Sequence, residues 1–398
     1  MKIKHTVIRK VSMITAVFLF AAITLTGGTG DLTSASAASG TAVYSAGDLF
    51  TDRDLSQTAD LDGAVTYTVT DRQDIRITEA GVFVLSGTAS NATVYVEAPD
   101  DAKVQLVLQD LNLTNSDFPC IYVLSADKVF ITTAGDSTLT VTGTFRADGS
   151  NNTDGVIFSR TDLVLNGTAA LTIQSADNGV VCKDDLKITG GTYVVTANSK
   201  AFDANDSIRI SDGTFVLRAG TDGFHAENSD DSSKGYIYIG GGYITIFCGD
   251  DGVHAVSVVQ IDDGKLAITA AEGIEGTFIR VNGGTVDITA SDDGINAANK
   301  SSAVETAIEF NGGTVNVAMG AGDTDGIDSN GNLYINGGVI SVTGNSTFDY
   351  DGTASFTGGT VYVNGQQTTS IPNQMMGGGG RGGWGGNGNG SRGGRGGW

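Results

Sequence analysis

The sequence predicts an all-β, single-stranded parallel β-helix, a solenoid of about 24 residues per coil, with a Gly-rich C-terminal tail. Three observations carry that expectation. The first is a repeated phrase. Ser291-Asp292-Asp293-Gly294-Ile295-Asn296-Ala297 recurs as Gly249-Asp250-Asp251-Gly252-Val253-His254-Ala255 and as Thr221-Asp222-Gly223-Phe224-His225-Ala226. Weaker copies begin at Ala271 and Asp325, and the earliest clear copy begins at Ala176. The second is a turn pair whose second residue falls at Gly167, Gly191, Gly213, Gly242, Gly264, Gly284, Gly313, Gly338 and Gly359. That spacing of 20 to 29 residues suits one coil of two or three short strands. The third is alternation: apolar pairs such as Leu186/Ile188, Ile237/Ile239 and Leu333/Ile335 precede the turn, and Tyr193/Val195, Ile244/Ile246 and Ile340/Val342 follow it. Alternate side chains of a strand point to opposite faces, so stacked coils align these residues into inner apolar columns. Parallel crossovers are right-handed by general rule, which sets the expected hand.

Along the chain, residues 1–37 have the layout of a secretory signal peptide. Lys2, Lys4, Arg9 and Lys10 precede an apolar run from Val11 to Leu25, and Ala35-Ser36-Ala37 offers a cleavage site. The run is short for a membrane span, so membrane insertion is not expected. No Cys follows it, which argues against a lipid anchor. Residues 38–73 read as an irregular lead-in or first cap. Residues 74–365 form the expected β-helix, with outward loops from Glu227 to Gly235 and from Asn299 to Thr306 where the repeat lengthens. Residues 366–398 are a Gly/Arg/Trp tail. Such a composition cannot bury a core. It reads as a flexible end, or as an anchor in which Arg381, Arg392, Arg395, Trp384 and Trp398 contact cell-wall glycan or the acidic body of a neighbour.

The formal charge is −22. Removing the signal region takes away four basic residues and Asp31, leaving about −25. So acidic a body disfavours nucleic acid as a partner and suits divalent cations or simple solubility. Cys120, Cys182 and Cys248 lack metal-type spacing and read as small inward residues, with one disulfide open and an odd thiol left over.

Stacking turns the repeats into ladders. One column holds Asn178, Lys200, Asp222, Asp251, Glu272, Asp293 and Asp325. The next holds Val181, Asp203, His225, His254, Glu275, Asn296 and Asp328, and Asp250 and Asp292 add further carboxylates. Two carboxylates about 4.8 Å apart repel by roughly 3.5 kcal/mol at an effective dielectric of 20. Shared Ca²⁺ would relieve this, since it takes six to eight oxygens. The expected Ca²⁺ ligands are Asp203, Asp222, Asp250, Asp251, Glu272, Asp292, Asp293, Asp325 and Asp328. The alternative is that Asp-Gly only makes good turns. His225 and His254, with Asp203 and Glu275, are either a transition-metal site or a solvated polar ladder. A third column, outward on the strand before the turn, reads Lys187, Arg209, Tyr238, Gln260, Arg280, Glu309 and Tyr334. Arg209, Tyr238, Arg280 and Tyr334 could line a groove for an acidic polysaccharide, by ring stacking and bidentate pairing. They are equally ordinary exposed strand residues.

Several phrases together resemble one family: Ile121-Tyr122-Val123 with Ser125-Ala126-Asp127-Lys128-Val129, Cys182-Lys183-Asp184-Asp185-Leu186-Lys187-Ile188-Thr189-Gly190-Gly191-Thr192, Lys234-Gly235-Tyr236-Ile237-Tyr238-Ile239, and the Asp-Gly repeats. The chain is similar there to the bacterial secreted carbohydrate-binding domain family with a polysaccharide-lyase-like right-handed parallel β-helix. The resemblance implies Ca²⁺ along the stack and affinity for cellulose or pectin-type glycans, without established catalysis. Lys200 and Asn178 depart from the acidic pattern. Three readings result: a secreted, monomeric, non-catalytic glycan-binding protein; a Ca²⁺-dependent pectate-type lyase with Lys200 as the first candidate for its base and Arg209 or Arg218 next; and a structural surface solenoid.

Overall fold

The computed structural model describes residues 44–320 and 324–373. The expected signal peptide and most of the expected tail lie outside the described residues. All the described residues belong to one compact unit.

Each coil contributes three short strands, and each strand pairs in parallel with its counterpart one coil later. Among the described residues the first ladder has 12 strands, from Ile75–Ile77 to Ser346–Tyr350. The second includes Asp162–Gly167, Asp185–Ile188, Ser207–Ile210, Tyr236–Ile239, Val258–Ile261, Phe278–Val281, Ala307–Phe310 and Asn332–Ile335. The third includes Thr192–Ala197 and its successors down to Thr360–Val363. In the early coils the second and third ladders are continuous. Lys103–Asn115 is one long strand that pairs with Lys128–Thr133 by its first half and with Ser137–Val141 by its second. A strand Gln366–Thr368 turns back antiparallel on Thr360–Val363 and ends the stack.

The inner columns are those the alternation predicts. Ile237, Ile239, Leu333 and Ile335 are fully buried, as are Val195, Ile246 and Val342. Register keeps like residues in line, as in Ile295↔Ile327 followed by Ile327↔Phe348. Where rings align they stack: Phe202 on Phe224 at 5.2 Å and Tyr193 on Phe215 at 5.3 Å. The nine corner glycines all have positive φ, from 76° at Gly284 and Gly313 to 142° at Gly213. A Cβ at Gly313 would lie 2.7 Å from the Gly283 carbonyl oxygen, so the corner needs glycine for space as well as for conformation.

The lead-in is more ordered than expected. Val65–Thr68 is already a strand, paired with Gly81–Ser90. Before it come two one-turn helices, Ala46–Leu49 and Asp52–Leu55. The second is closed by a capping box between Thr51 and Asp54. The two longer loops emerge between the first and second ladders, and Ser301 Oγ donates to the Ser232 carbonyl at 2.6 Å. The cysteines form no disulfide, and Cys120 and Cys182 are fully buried. Among the described residues no helix is long and apolar enough to cross a membrane.

Candidate functional site

The site is the outer face of the first ladder. Register places Val181, Asp203, His225, His254, Glu275, Asn296, Asp328 and Asp349 in one column. The neighbouring column is tied by side chain to backbone bonds one coil apart. Lys200 N donates to Asn178 Oδ1 at 3.0 Å, Asp251 N to Asp222 Oδ1 at 3.2 Å, and Asp325 N to Asp293 Oδ1 at 3.1 Å. The Asp-Gly turn therefore does two jobs. Its glycine lets coils approach, and its aspartate accepts from the next coil.

The face divides into two halves. In the upper half, the chain supplies its own cations. Lys200 Nζ lies 3.1 Å from Asp203 Oδ1 and 3.0 Å from His225 Nδ1. His225 Nδ1 is 2.8 Å from the same Asp203 oxygen. Burial would raise the Asp203 carboxyl, but its hydrogen bond to His225 and the charge of Lys200 hold it down to about 2. One coil on, His254 Nδ1 is 2.5 Å from Asp251 Oδ2 and 2.9 Å from Glu275 Oε2. Lys300, from the second long loop, binds the same Glu275 oxygen. Burial alone would lower the His254 imidazole, yet the two carboxylates push it up to about 9. Glu275, which burial would raise, is held at about 2 by His254 and Lys300. The two imidazoles lie 4.8 Å apart, tilted by 33°.

The expected transition-metal quartet is thus drawn as two separate clusters, Lys200–Asp203–His225 and Asp251–His254–Glu275. The donor atoms of the second trio lie within 4.8 Å of one another. Its charges are already balanced by the imidazolium and Lys300. A cleft of about 230 Å³ opens beside the first cluster, lined by Lys200, Asp203, His225, Glu227 and Asn228 among others.

The lower half has carboxylates without such partners. Burial first, then the charge of Glu275, raises Glu272 to about 7. Burial and the neighbours Asp292 and Asp325 raise Asp293 to about 6. Burial and the charges of Asp293, Asp325, Asp349 and Asp351 raise Asp328 to about 7. Asp325 Oδ1, Asp349 Oδ1 and Asn296 Oδ1 are buried and accept no hydrogen bond. Partnerless hard oxygens on neighbouring coils fit a Ca²⁺-like ion in donor chemistry. Asp250 and Asp292 are exposed at the rim. Asp222 is buried, and that burial raises its carboxyl.

The third expected column is in register but is not an open groove. Tyr238 is 1% exposed and Arg280 6%. Residues 44–57 cover this face: Tyr44 exchanges two hydrogen bonds with the Gln260 side chain, and Asp54 is paired with Lys187 at 2.9 Å. Arg280 forms a buried pair with Glu309 at 2.6 Å. Arg209 is held by Asp185 at 2.6 Å, and only it and Tyr334 keep partial exposure. Nor do the three residues considered for lyase chemistry converge. Lys200 precedes a first-ladder strand, Arg209 lies in the second ladder, and Arg218 lies in the third, over the Phe247 ring.

Three contributors escaped the sequence reading. Lys300 sits in a loop outside the repeat. Asp349 follows Phe348 without an Asp-Gly turn, although Phe348-Asp349 aligns with Ile327-Asp328. The strap at residues 44–57 carries no periodic signal.

The fold and this face define a parallel all-β protein of polysaccharide-lyase-like type. The solved polysaccharide lyase-like protein from C. thermocellum, a gadolinium derivative, is 29% identical with a TM-score of 0.50, covering 56% of this chain and 96% of that one. A carbohydrate-binding domain-containing protein of Acetivibrio thermocellus is 37% identical over 202 residues, 50% of this chain and 71% of the relative. The family model described as carbohydrate-binding domain-containing protein matches residues 71–323 and 272–369. The chain belongs to that carbohydrate-binding domain family.

Proposed function

We propose that the protein is a secreted, non-catalytic, calcium-dependent binder of acidic polysaccharide, pectin or polygalacturonate before cellulose, built on a right-handed parallel β-helix. One observation carries the reading. The lower half of the first ladder gathers Glu272, Asp293 and Asp328, whose carboxyls burial and like charge raise, beside the partnerless buried oxygens of Asp325, Asp349 and Asn296, a surface that a bound cation would stabilise. Ca²⁺ held there would keep coordination positions open toward solvent. A uronate carboxylate could complete the shell, so an acidic protein would hold an acidic polymer. The solved neighbour was prepared as a gadolinium derivative, and gadolinium is a hard cation that also favours carboxylate oxygens. Asp203 and Asp251 contribute less, because Lys200 and His254 already meet them. Secretion is proposed from the layout of residues 1–37, and wall contact from the Arg and Trp of the tail.

Calorimetric titration with Ca²⁺ tests this, with and without a soluble oligogalacturonate. The expected result is Ca²⁺ binding that tightens when the oligosaccharide is present. Equal affinity in both titrations would contradict ion-bridged binding. Oligosaccharide cleaved to unsaturated product would move the assignment to a lyase.

A further inference from the structure

The outer face of the second ladder holds a ligand-like strap. Register aligns Phe130, Val164, Lys187, Arg209, Tyr238 and Gln260 in one column. Residues 44–57 run along it, from Tyr44 on Gln260 to Arg53 over the Phe130 ring at 4.4 Å. Five coil steps make this contact about 24 Å long. A linear polymer lying on the stack would follow the same line.

The contacts are of the kind a uronate chain makes. The Tyr44 ring lies flat on Tyr236, with centroids 4.1 Å apart and planes 15° apart. A pyranose ring stacks on an aromatic face in the same way. The Asp54 carboxylate is fully buried, 2.9 Å from Lys187 Nζ and 3.6 Å from Lys128 Nζ. A buried ion pair stabilises no better than apolar side chains of the same shape. Asp54 also closes its own helical turn through Thr51, but a strap that merely closed this face would not need Lys187 and Lys128 beneath that carboxylate. The fully buried Gln260 amide donates to and accepts from the Tyr44 backbone, as it could with sugar hydroxyls.

We infer that this face is a second glycan surface, recognising a linear uronate chain without a metal ion, and that residues 44–57 occupy it as an internal stand-in. The inference rests on the carbohydrate reading above. Asp162 shares Lys128 at 3.7 Å and Asp185 holds Arg209, so Lys187 is the cation released when Asp54 lifts away. The strap competes with the polymer, and apparent affinity is the intrinsic affinity multiplied by the fraction of molecules in which the strap is displaced.

The test measures binding of soluble oligogalacturonate in chelator, which silences the ion-bridged mode. The full chain carrying Y44A and D54N should bind at least about tenfold tighter than the unaltered protein, since minor states are commonly populated at 0.1–10%. Adding K187Q should erase the gain. A folded Y44A/D54N protein that binds no tighter overturns the inference. If the unaltered protein still binds with Ca²⁺, the first-ladder reading stands apart from it; loss of both sinks the carbohydrate reading itself. Should the variant fail to fold, hydrogen exchange of the unaltered protein decides. Saturating oligogalacturonate in chelator should speed exchange across residues 45–57, and unchanged exchange overturns the inference.

Discussion

Replacing Asp328 by Asn should stabilise the ion-free protein at pH 8 and destabilise the Ca²⁺-loaded one. In the fold, burial and the charges of Asp293, Asp325, Asp349 and Asp351 raise this carboxyl from 3.8 to about 7. A carboxyl raised by folding favours the protonated folded state. Its ionisation therefore costs nothing below pH 3.8, costs increasingly between 3.8 and about 7, and costs a constant amount above. A rise of that size corresponds to roughly 4 kcal/mol if water were wholly excluded. The side chain is half-buried, and solvent screening reduces this to about 1–2 kcal/mol. Asn keeps the shape and removes the charge. Urea denaturation in chelator should thus show Asp328→Asn more stable than the unaltered protein by about 1–2 kcal/mol at pH 8, with no difference at pH 4. With Ca²⁺ saturating, the order should reverse, because a ligand is gone. A variant less stable than the parent at pH 8 in chelator would overturn this expectation, since the charge would then be paired already.

Other perturbations probe the remaining contacts. His254 is raised by folding, so its contribution is full below its ordinary value of 6.5 and is lost as pH climbs through about 9; NMR titration of its ring should show that midpoint, falling toward the ordinary value in Asp251→Asn. Ile327→Ala empties a fully buried column position between Ile295 and Phe348 and should cost about 2–5 kcal/mol in denaturation. Gly294→Ala would place a Cβ 2.3 Å from both the Gly326 carbonyl oxygen and Val317 Cγ1, so stability should fall by at least about 2 kcal/mol. Lys187→Ala should cost about 3–5 kcal/mol, because the Asp54 charge stays buried without its nearest partner.

What the residues disclosed in advance is what repeats along the stack. The inner columns were legible because alternation fixes which face of each strand is apolar, as Ile237, Ile239 and Ile335 illustrate. The corner glycines were legible because their spacing is the coil length. The acidic column from Asp222 to Asp325 and its neighbour from Asp203 to Asp328 followed from the same arithmetic. Nonrepeating contacts were not legible. Lys300 reaches Glu275 from a loop whose length says nothing of its path. The covering of Tyr238 and Gln260 depends on residues 44–57, about 200 positions away in the chain, held by an ion pair and a stacked ring that no periodicity announces. Alternation tells which side chains leave the core; it does not tell whether another segment then lies on them.

Cations on the lower first ladder are proposed to join this protein to an acidic glycan. Co-sedimentation with insoluble polygalacturonate, in Ca²⁺ and in chelator, puts that proposal at risk when the parent is compared with Asp293→Asn/Asp328→Asn. The parent should pellet in Ca²⁺ far more than in chelator, and the variant should lose most of that Ca²⁺-dependent fraction. Parent and variant pelleting alike in Ca²⁺, or no pelleting of the parent at all, would contradict it.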